Sequence, residues 1–177
     1  MSAEQIILVD EHDREIGSIE KLAAHQNGGK LHRAFSIFVF NSKGEMLIQM
    51  RALGKHHWAG IWTNTCCSHP HVGETLEQAV HRRLKEEFGF DCNLKEIFAF
   101  IYKATDSKSG LTEWEFDHFF IGIFDGTPKP NPEEIGAYKW VKPEELKKDI
   151  AVHPEKYTPW FKASVDKVIE YYNKMAL

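Results

Sequence analysis

The run Thr63-Asn64-Thr65-Cys66-Cys67-Ser68-His69-Pro70-His71 puts a thiol two residues from an imidazole. A neighbouring cation, imidazolium or metal, lowers a thiol's pKa and makes it a usable acid or base. A small buried cysteine beside an unrelated histidine has the same spacing, and both readings stand at this level. No CxxC pair occurs, so zinc-finger spacing is absent. Glu113 and Glu115 are two apart in a segment that reads as a strand. They therefore point to one face, with α-carbons roughly 6–7 Å apart. Carboxylates that close repel unless something positive stands beside them. His25, His32 and His69 lie in polar or irregular stretches. Imidazole nitrogens and carboxylate oxygens together suit Mn²⁺, Zn²⁺ or Fe²⁺. A solvated acidic edge with scattered histidines is the plain alternative. Lys21, Arg51, Lys55 and Arg83 could, with Mg²⁺, neutralise a diphosphate, and each alone reads equally as a solvated surface charge.

The elements that must position these groups alternate between strand and helix. Ile6-Ile7-Leu8-Val9 is a short apolar run ended by Asp10-Glu11-His12-Asp13. Phe35–Phe40 and Met46–Met50 flank Asn41-Ser42-Lys43-Gly44 and predict a hairpin. Leu53 to Gly73 reads as one long irregular stretch. Leu76, Ala79, Val80, Leu84 and Phe88 recur at helical spacing before a stop at Gly89. Ile97–Tyr102 and Trp114–Phe124 read as strands around a turn at Asp106–Gly110, and 128–132 as a loop. Pro143 opens a short helix. Tyr157–Met175 carries Trp160, Phe161, Val165, Val168, Ile169 and Tyr172 on one helical stripe. The expected fold class is α+β, a mixed sheet with helices packed on its faces.

The chain has 177 residues, 22 Lys+Arg, 26 Asp+Glu and 42% hydrophobic residues. That length predicts a single domain over 1–177, and the composition excludes a disordered chain. A net charge of −4 argues against a nucleic-acid-coating surface. No stretch approaches the ~18 apolar residues of a membrane span, so no membrane partner is expected. Met1-Ser2-Ala3-Glu4-Gln5 has no basic region followed by an apolar run, so no secretory signal is read there. Cys66, Cys67 and Cys92 cannot all pair, and neighbours make poor disulfides, which fits a reduced, cytoplasmic protein.

The amphipathic helix resembles the Nudix box, a loop–helix motif whose glutamates hold Mg²⁺ against a diphosphate. Glu74, Arg82, Leu84, Glu86, Glu87, Gly89 and Phe90 fit it, while Ser68 stands where the motif has Gly and Arg83 where it has Glu. Glu20-Lys21-Leu22-Ala23-Ala24-His25, Leu31-His32-Arg33-Ala34-Phe35, Arg51-Ala52-Leu53, Trp58 through Pro70, Tyr102-Lys103-Ala104-Thr105-Asp106, Glu113-Trp114-Glu115 and Pro159-Trp160 resemble the type 1 isopentenyl diphosphate isomerase family. The resemblance runs in order from about Ile7 to Trp160, and the two departures from the Nudix box accord with it.

The resemblance implies a Nudix-like fold and interconversion of isopentenyl and dimethylallyl diphosphate. It implies one Mn²⁺, Zn²⁺ or Mg²⁺ on His25, His32, His69, Glu113 and Glu115, with an N-terminal segment of about 1–32 supplying two of the histidines. It implies that Cys67 and Glu115 are the catalytic acid and base, with Tyr102 assisting. Glu87 and the main-chain carbonyl of Cys67 would help hold a substrate-bound Mg²⁺. Lys21, Arg51, Lys55 and Arg83 would meet the diphosphate, and Trp160 the hydrocarbon end. The partner expected is a small-molecule diphosphate, and a monomer is favoured. Two other readings remain: a Nudix-type diphosphate hydrolase, and a silent metal- or diphosphate-binding module. His12, His56, His57, His71, His81, His118 and His153 read as surface or structural, and Cys66 is a natural control for Cys67.

Overall fold

Phe35-Ser36-Ile37-Phe38-Val39-Phe40 is an apolar run broken by one serine, and all six residues are buried. A strand reads that way when both of its faces are covered. In the computed structural model, which describes residues 4–175, this strand lies at the centre of one nine-stranded sheet. The chain order is β1 (Gln5–Val9), β2 (Glu15–Glu20), α1 (Lys21–His25), β3 (His32–Phe40), β4 (Met46–Arg51), β5 (Trp62–Thr63), β6 (Cys66–Ser68), α2 (Leu76–Phe88), β7 (Leu94–Thr105), β8 (Thr112–Ile123), β9 (Ile135–Val141), α3 (Pro143–Val152) and α4 (Pro159–Met175). β3 runs parallel to β8 and antiparallel to β1, β4 and β6, so the sheet is mixed as expected. Met1, Ser2 and Ala3 of the leader reading lie outside the described residues.

Two helices cover the two faces. α2 buries Ala79, Val80, Leu84 and Phe88 against Phe35, Ile37, Val39 and Leu47. A capping box of Thr75 and Gln78 starts it, and Gly89 ends it in the left-handed region at φ 68°. α4 buries Trp160, Phe161, Val165, Val168 and Ile169 against Phe38, Phe40 and Phe119. Tyr172 of the expected stripe is half-buried and stacks on Phe40, ring centroids 3.9 Å apart.

Several elements depart from the sequence reading. The two long strands extend to Leu94–Thr105 and Thr112–Ile123, and Asp106 closes their turn by accepting from Lys108 N and Ser109 Oγ. β2, α1 and β9 were not anticipated. β2 has an exposed edge with no apolar alternation, and α1 is a five-residue helix capped by the Glu20 carboxylate on Leu22 N and Ala23 N. The stretch from Leu53 to Gly73 is not wholly irregular, because β6 pairs with β3 and sets Cys67 opposite Ser36.

Candidate active site

Cross-strand partners share a face, as do residues two apart on one strand. His32 of β3 is opposite Glu115 of β8, Glu115 is opposite Tyr102 of β7, and Ser36 is opposite Cys67 of β6. These residues, with Glu113 and Asp117, therefore stand on the α4 face. That face changes character along its length. β8 reads Glu113, Glu115, Asp117 and then Phe119, Ile121; β3 reads His32, Ala34, Ser36 and then Phe38, Phe40. The apolar end is the core under α4, and the polar end opens into a cavity of about 250 Å³. Cys66 points to the opposite face, into the core under α2.

His25, His32, His69, Glu113 and Glu115 each bring one donor atom into a group in which all five atoms lie within 4.8 Å of one another. All five residues are buried. The outer nitrogens of two imidazoles are committed: His25 Nδ1 donates to Lys21 O at 2.6 Å and His32 Nδ1 to Lys30 O at 2.7 Å. A carbonyl only accepts, so the inward Nε2 atoms are left with their lone pairs. His25 Nε2 then meets Glu113 Oε2 at 2.8 Å, and His32 Nε2 meets His69 Nε2 at 3.2 Å. His69 Nε2 also meets Glu115 Oε1 at 3.0 Å. Converging acceptors need protons or a cation between them. Three nitrogens, those of His25 and His32 oriented from outside, and two carboxylate oxygens form a donor set that could hold a divalent metal ion.

The same geometry sets the electrostatics. Burial works against charge on His25, but the Glu113 carboxylate wins and raises its pKa to about 9. Burial holds the His69 value well below the ordinary one. Burial also opposes the Glu113 charge, yet His25 and His57 hold that carboxyl well below the usual range. Glu115 is raised to about 7 by burial and by the charge of Glu113. Tyr102 donates its hydroxyl to Glu115 Oε2 and is itself pushed well up by burial. Burial raises the Cys67 thiol to about 12, partly offset by Arg51, whose Nη1 lies 3.8 Å from Sγ. Asp117 accepts from Ser36 Oγ at 2.8 Å and is raised well above the carboxylate range by burial.

Cys67, Glu115, Tyr102 and Trp160 line the cavity together with all four expected cations, Lys21, Arg51, Lys55 and Arg83. Lys55 pairs with Glu134, and Arg83 reaches Glu134 at 3.2 Å and Glu87 at 2.5 Å. Lys21 pairs with Glu4 at 3.1 Å. Among the described residues Arg51 forms no ion pair; it donates to His57 O and lies 5.6 Å from the Trp160 ring centroid. Trp160 is fixed by Nε1 donating to Asn64 Oδ1 at 3.1 Å and by an edge contact with Trp58. Glu87 does not line the cavity. It is buried on the inner stripe of α2 and reaches the site through Arg83, with Gln49 Nε2 donating to it at 2.9 Å. His57 was read as surface or structural, and that is corrected: it lines the cavity and its Nε2 meets Glu113 Oε1. Gln49, Asn64, Asp117 and Glu134 were not singled out. Glu87 carried a signal, a carboxylate in phase with Leu84 on an apolar stripe; the others carried none in sequence.

The fold and this site define a Nudix-domain protein. The NUDIX domain model matches residues 30–161. The fold is that of DR0079 from Deinococcus radiodurans, with a TM-score of 0.74 at 22% identity over 95% of this chain and 98% of that one. A MutT protein from Methanosarcina mazei Go1 matches with a TM-score of 0.63 at 20% identity, over 81% and 96% of the two chains. Sequence relatives narrow the class. Isopentenyl-diphosphate Delta-isomerase 2 of Aromatoleum aromaticum is 52% identical over 94% of this chain and 87% of its own length. The protein of the same name from Photorhabdus laumondii subsp. laumondii is 53% identical over 92% of this chain and 91% of its own. The chain belongs to the isopentenyl-diphosphate Delta-isomerase family of Nudix proteins. No described helix is long and apolar enough to cross a membrane.

Proposed function

We propose that the chain interconverts isopentenyl diphosphate and dimethylallyl diphosphate, with Cys67 and Glu115 as the proton-transferring pair. The observation that carries this reading is that the thiol and the Glu115–Tyr102 pair line one cavity from strands on opposite edges of β3. The two diphosphates differ by one proton moved between carbons. A proton added to the terminal CH₂ leaves a tertiary cation, and loss of a proton from C2 gives the internal alkene. One group donates and becomes the conjugate base; the other accepts, so charge balances over the step. The direction of reaction decides which acts first. An alkene is a weak base and a tertiary cation is readily captured by water, so the pair must work in a dry site. Glu115 is buried and Cys67 and Tyr102 are half-buried at the cavity wall; desolvation raises the pKa of each, and the bound substrate completes the exclusion of water.

The remaining residues bind and orient. Lys21, Arg51, Lys55 and Arg83 hold the diphosphate oxygens, far enough from the reacting carbons to position the small apolar tail. Glu87, which lies behind the cavity wall against Arg83 and Gln49, would with the main-chain carbonyl of Cys67 help hold a Mg²⁺ accompanying the substrate, supplying charge neutralisation to the diphosphate. The indole face of Trp160 attracts developing positive charge, worth about 2 kcal/mol when desolvated. His25, His32, His69, Glu113 and Glu115 would hold one divalent ion, Mn²⁺, Zn²⁺ or Mg²⁺, and such an ion would supply a fixed positive charge beside Glu115. One chain supplies every donor, so a monomer suffices. Three free cysteines suit a reducing cytoplasmic setting.

A diphosphate hydrolase of the same fold would have no use for Cys67 or Trp160, and Arg83 stands where the Nudix box has a glutamate. The variants Cys67→Ala and Glu115→Gln test the assignment. Each is expected to stay folded and to lose isomerisation by roughly 10²–10⁴-fold, while Cys66→Ala retains it. Unchanged turnover in folded Cys67→Ala, or release of inorganic phosphate as the main reaction, contradicts it.

A further inference from the structure

His57 belongs to neither the five-donor cluster nor the diphosphate cations, yet it touches both. It lies in the loop between β4 and β5, with its side chain only 12% exposed. Glu113 uses Oε2 toward His25 Nε2 at 2.8 Å and His32 Nε2 at 3.9 Å, inside the cluster. Its other oxygen, Oε1, faces outward and meets His57 Nε2. The arrangement repeats what Tyr102 does for Glu115: one oxygen is turned in to the cluster and the other is held from outside by a side-chain donor. The main chain of His57 is engaged as well, since its carbonyl accepts from Arg51 Nη2 at 3.2 Å and Nε at 3.4 Å. Trp58, the next residue, sits at φ 47°, in the left-handed region that costs a bulky side chain. It is pinned there by its N–H donating to Asp106 Oδ2 at 3.2 Å and by its ring on Trp160. The loop is thus held in one conformation, and His57 Nδ1 is buried with no partner. Nothing besides Glu113 bonds to this imidazole among the described residues.

We propose that His57 is a positioning residue of the metal centre: its Nε2–H fixes the outer oxygen of Glu113 while its carbonyl fixes Arg51, tying a metal ligand to a diphosphate-facing cation. The role rests on the function proposed above for Glu113 and Arg51. Outer partners of this kind keep a ligating carboxylate in one orientation, and their loss weakens metal binding roughly ten- to a hundred-fold. The imidazole acts through Glu113 and is not itself a ligand.

The test is cobalt(II) titration of metal-stripped full-length protein, read by visible absorption and by competition with a chelating indicator, with no substrate present. His57→Ala and His57→Phe remove the N–H at small and at full ring volume; His57→Gln keeps a donor at similar reach. Ala and Phe are expected to weaken cobalt binding roughly ten- to a hundred-fold, and Gln to recover most of it with an unchanged absorption band. A Phe variant that binds cobalt as the parent does overturns the proposal. So does a Gln variant as weak as Phe, or one whose band loses intensity, since the imidazole would then be a ligand. The KM for isopentenyl diphosphate, measured at saturating metal, is expected to change little in the Phe variant, because the carbonyl that accepts from Arg51 is main chain and the loop stays pinned at Trp58. The cobalt readout needs no turnover, so failure of the isomerase reading leaves it intact and distinguishable.

Discussion

Burial acts on Cys67 and Glu115 in the same sense, toward the protonated form, and the two groups face one cavity. Glu134 shows the opposite balance. Burial pushes its carboxyl up, but Lys55 and Arg83 outweigh it and hold the value near 2, against an ordinary 4.5. A depressed folded-state value stabilises fully above pH 4.5 and is lost as pH falls toward 2. The contribution at neutral pH is at most about 3 kcal/mol, with about half left near pH 3. Urea unfolding of the parent and Glu134→Gln is therefore expected to show a stability gap at pH 7 that narrows at pH 3. A gap independent of pH contradicts the assignment. Glu134 also shows where residue-level reading stops. Lys55 and Arg83 were visible as cations, but their shared carboxylate lies 79 and 51 positions away, and only the fold brings it to them.

At the scale of elements, α2 carries its own start and stop. Thr75 and Gln78 cap its first turn, and Gly89 takes φ 68° with Lys129 packed where a β-carbon would go, 3.0 Å away. Gly89→Ala is expected to cost more than the ~1 kcal/mol of an ordinary left-handed penalty, because the 129 backbone must also move. Thermal or urea unfolding measures it, and a neutral substitution would show that the chain at 129 yields freely. α2 was legible in sequence because spacing, cap and glycine agree. The hairpin at 41–44 and the turn at 106–110 were legible for the same reason, since local chemistry decides them. β2, β9 and β6 were not, because tertiary pairing makes them strands. β6 mattered most: three residues paired to β3 send Cys67 to the α4 face and Cys66 to the α2 face. Same-face placement of Glu113 and Glu115 followed from strand period alone. Their convergence with His25 and His32 depended on a helix of five residues and on the parallel pairing of β3 with β8.

Across the whole molecule, two of the five donors, His25 and His32, come from the first 32 residues, and three come from later in the chain: His69 just past β6, and Glu113 and Glu115 on β8. A bound divalent ion therefore joins α1 and the start of β3 to β8, and stabilises the native state by mass action. Chelation is expected to lower the unfolding midpoint and to speed amide exchange over residues 21–32 ahead of the rest. Equal protection there with and without chelator contradicts this. The polar end of the α4 face is where binding and proton transfer meet, and the apolar end is what holds it rigid. The most direct measurement of the central claim is incubation of the purified protein with isopentenyl diphosphate and Mg²⁺ in heavy water, followed by NMR. The account predicts dimethylallyl diphosphate carrying deuterium from solvent in the methyl group derived from the terminal carbon, with no such product from Cys67→Ala. Recovery of unlabelled isopentenyl diphosphate, or equal labelling by the parent and Cys67→Ala, would contradict it.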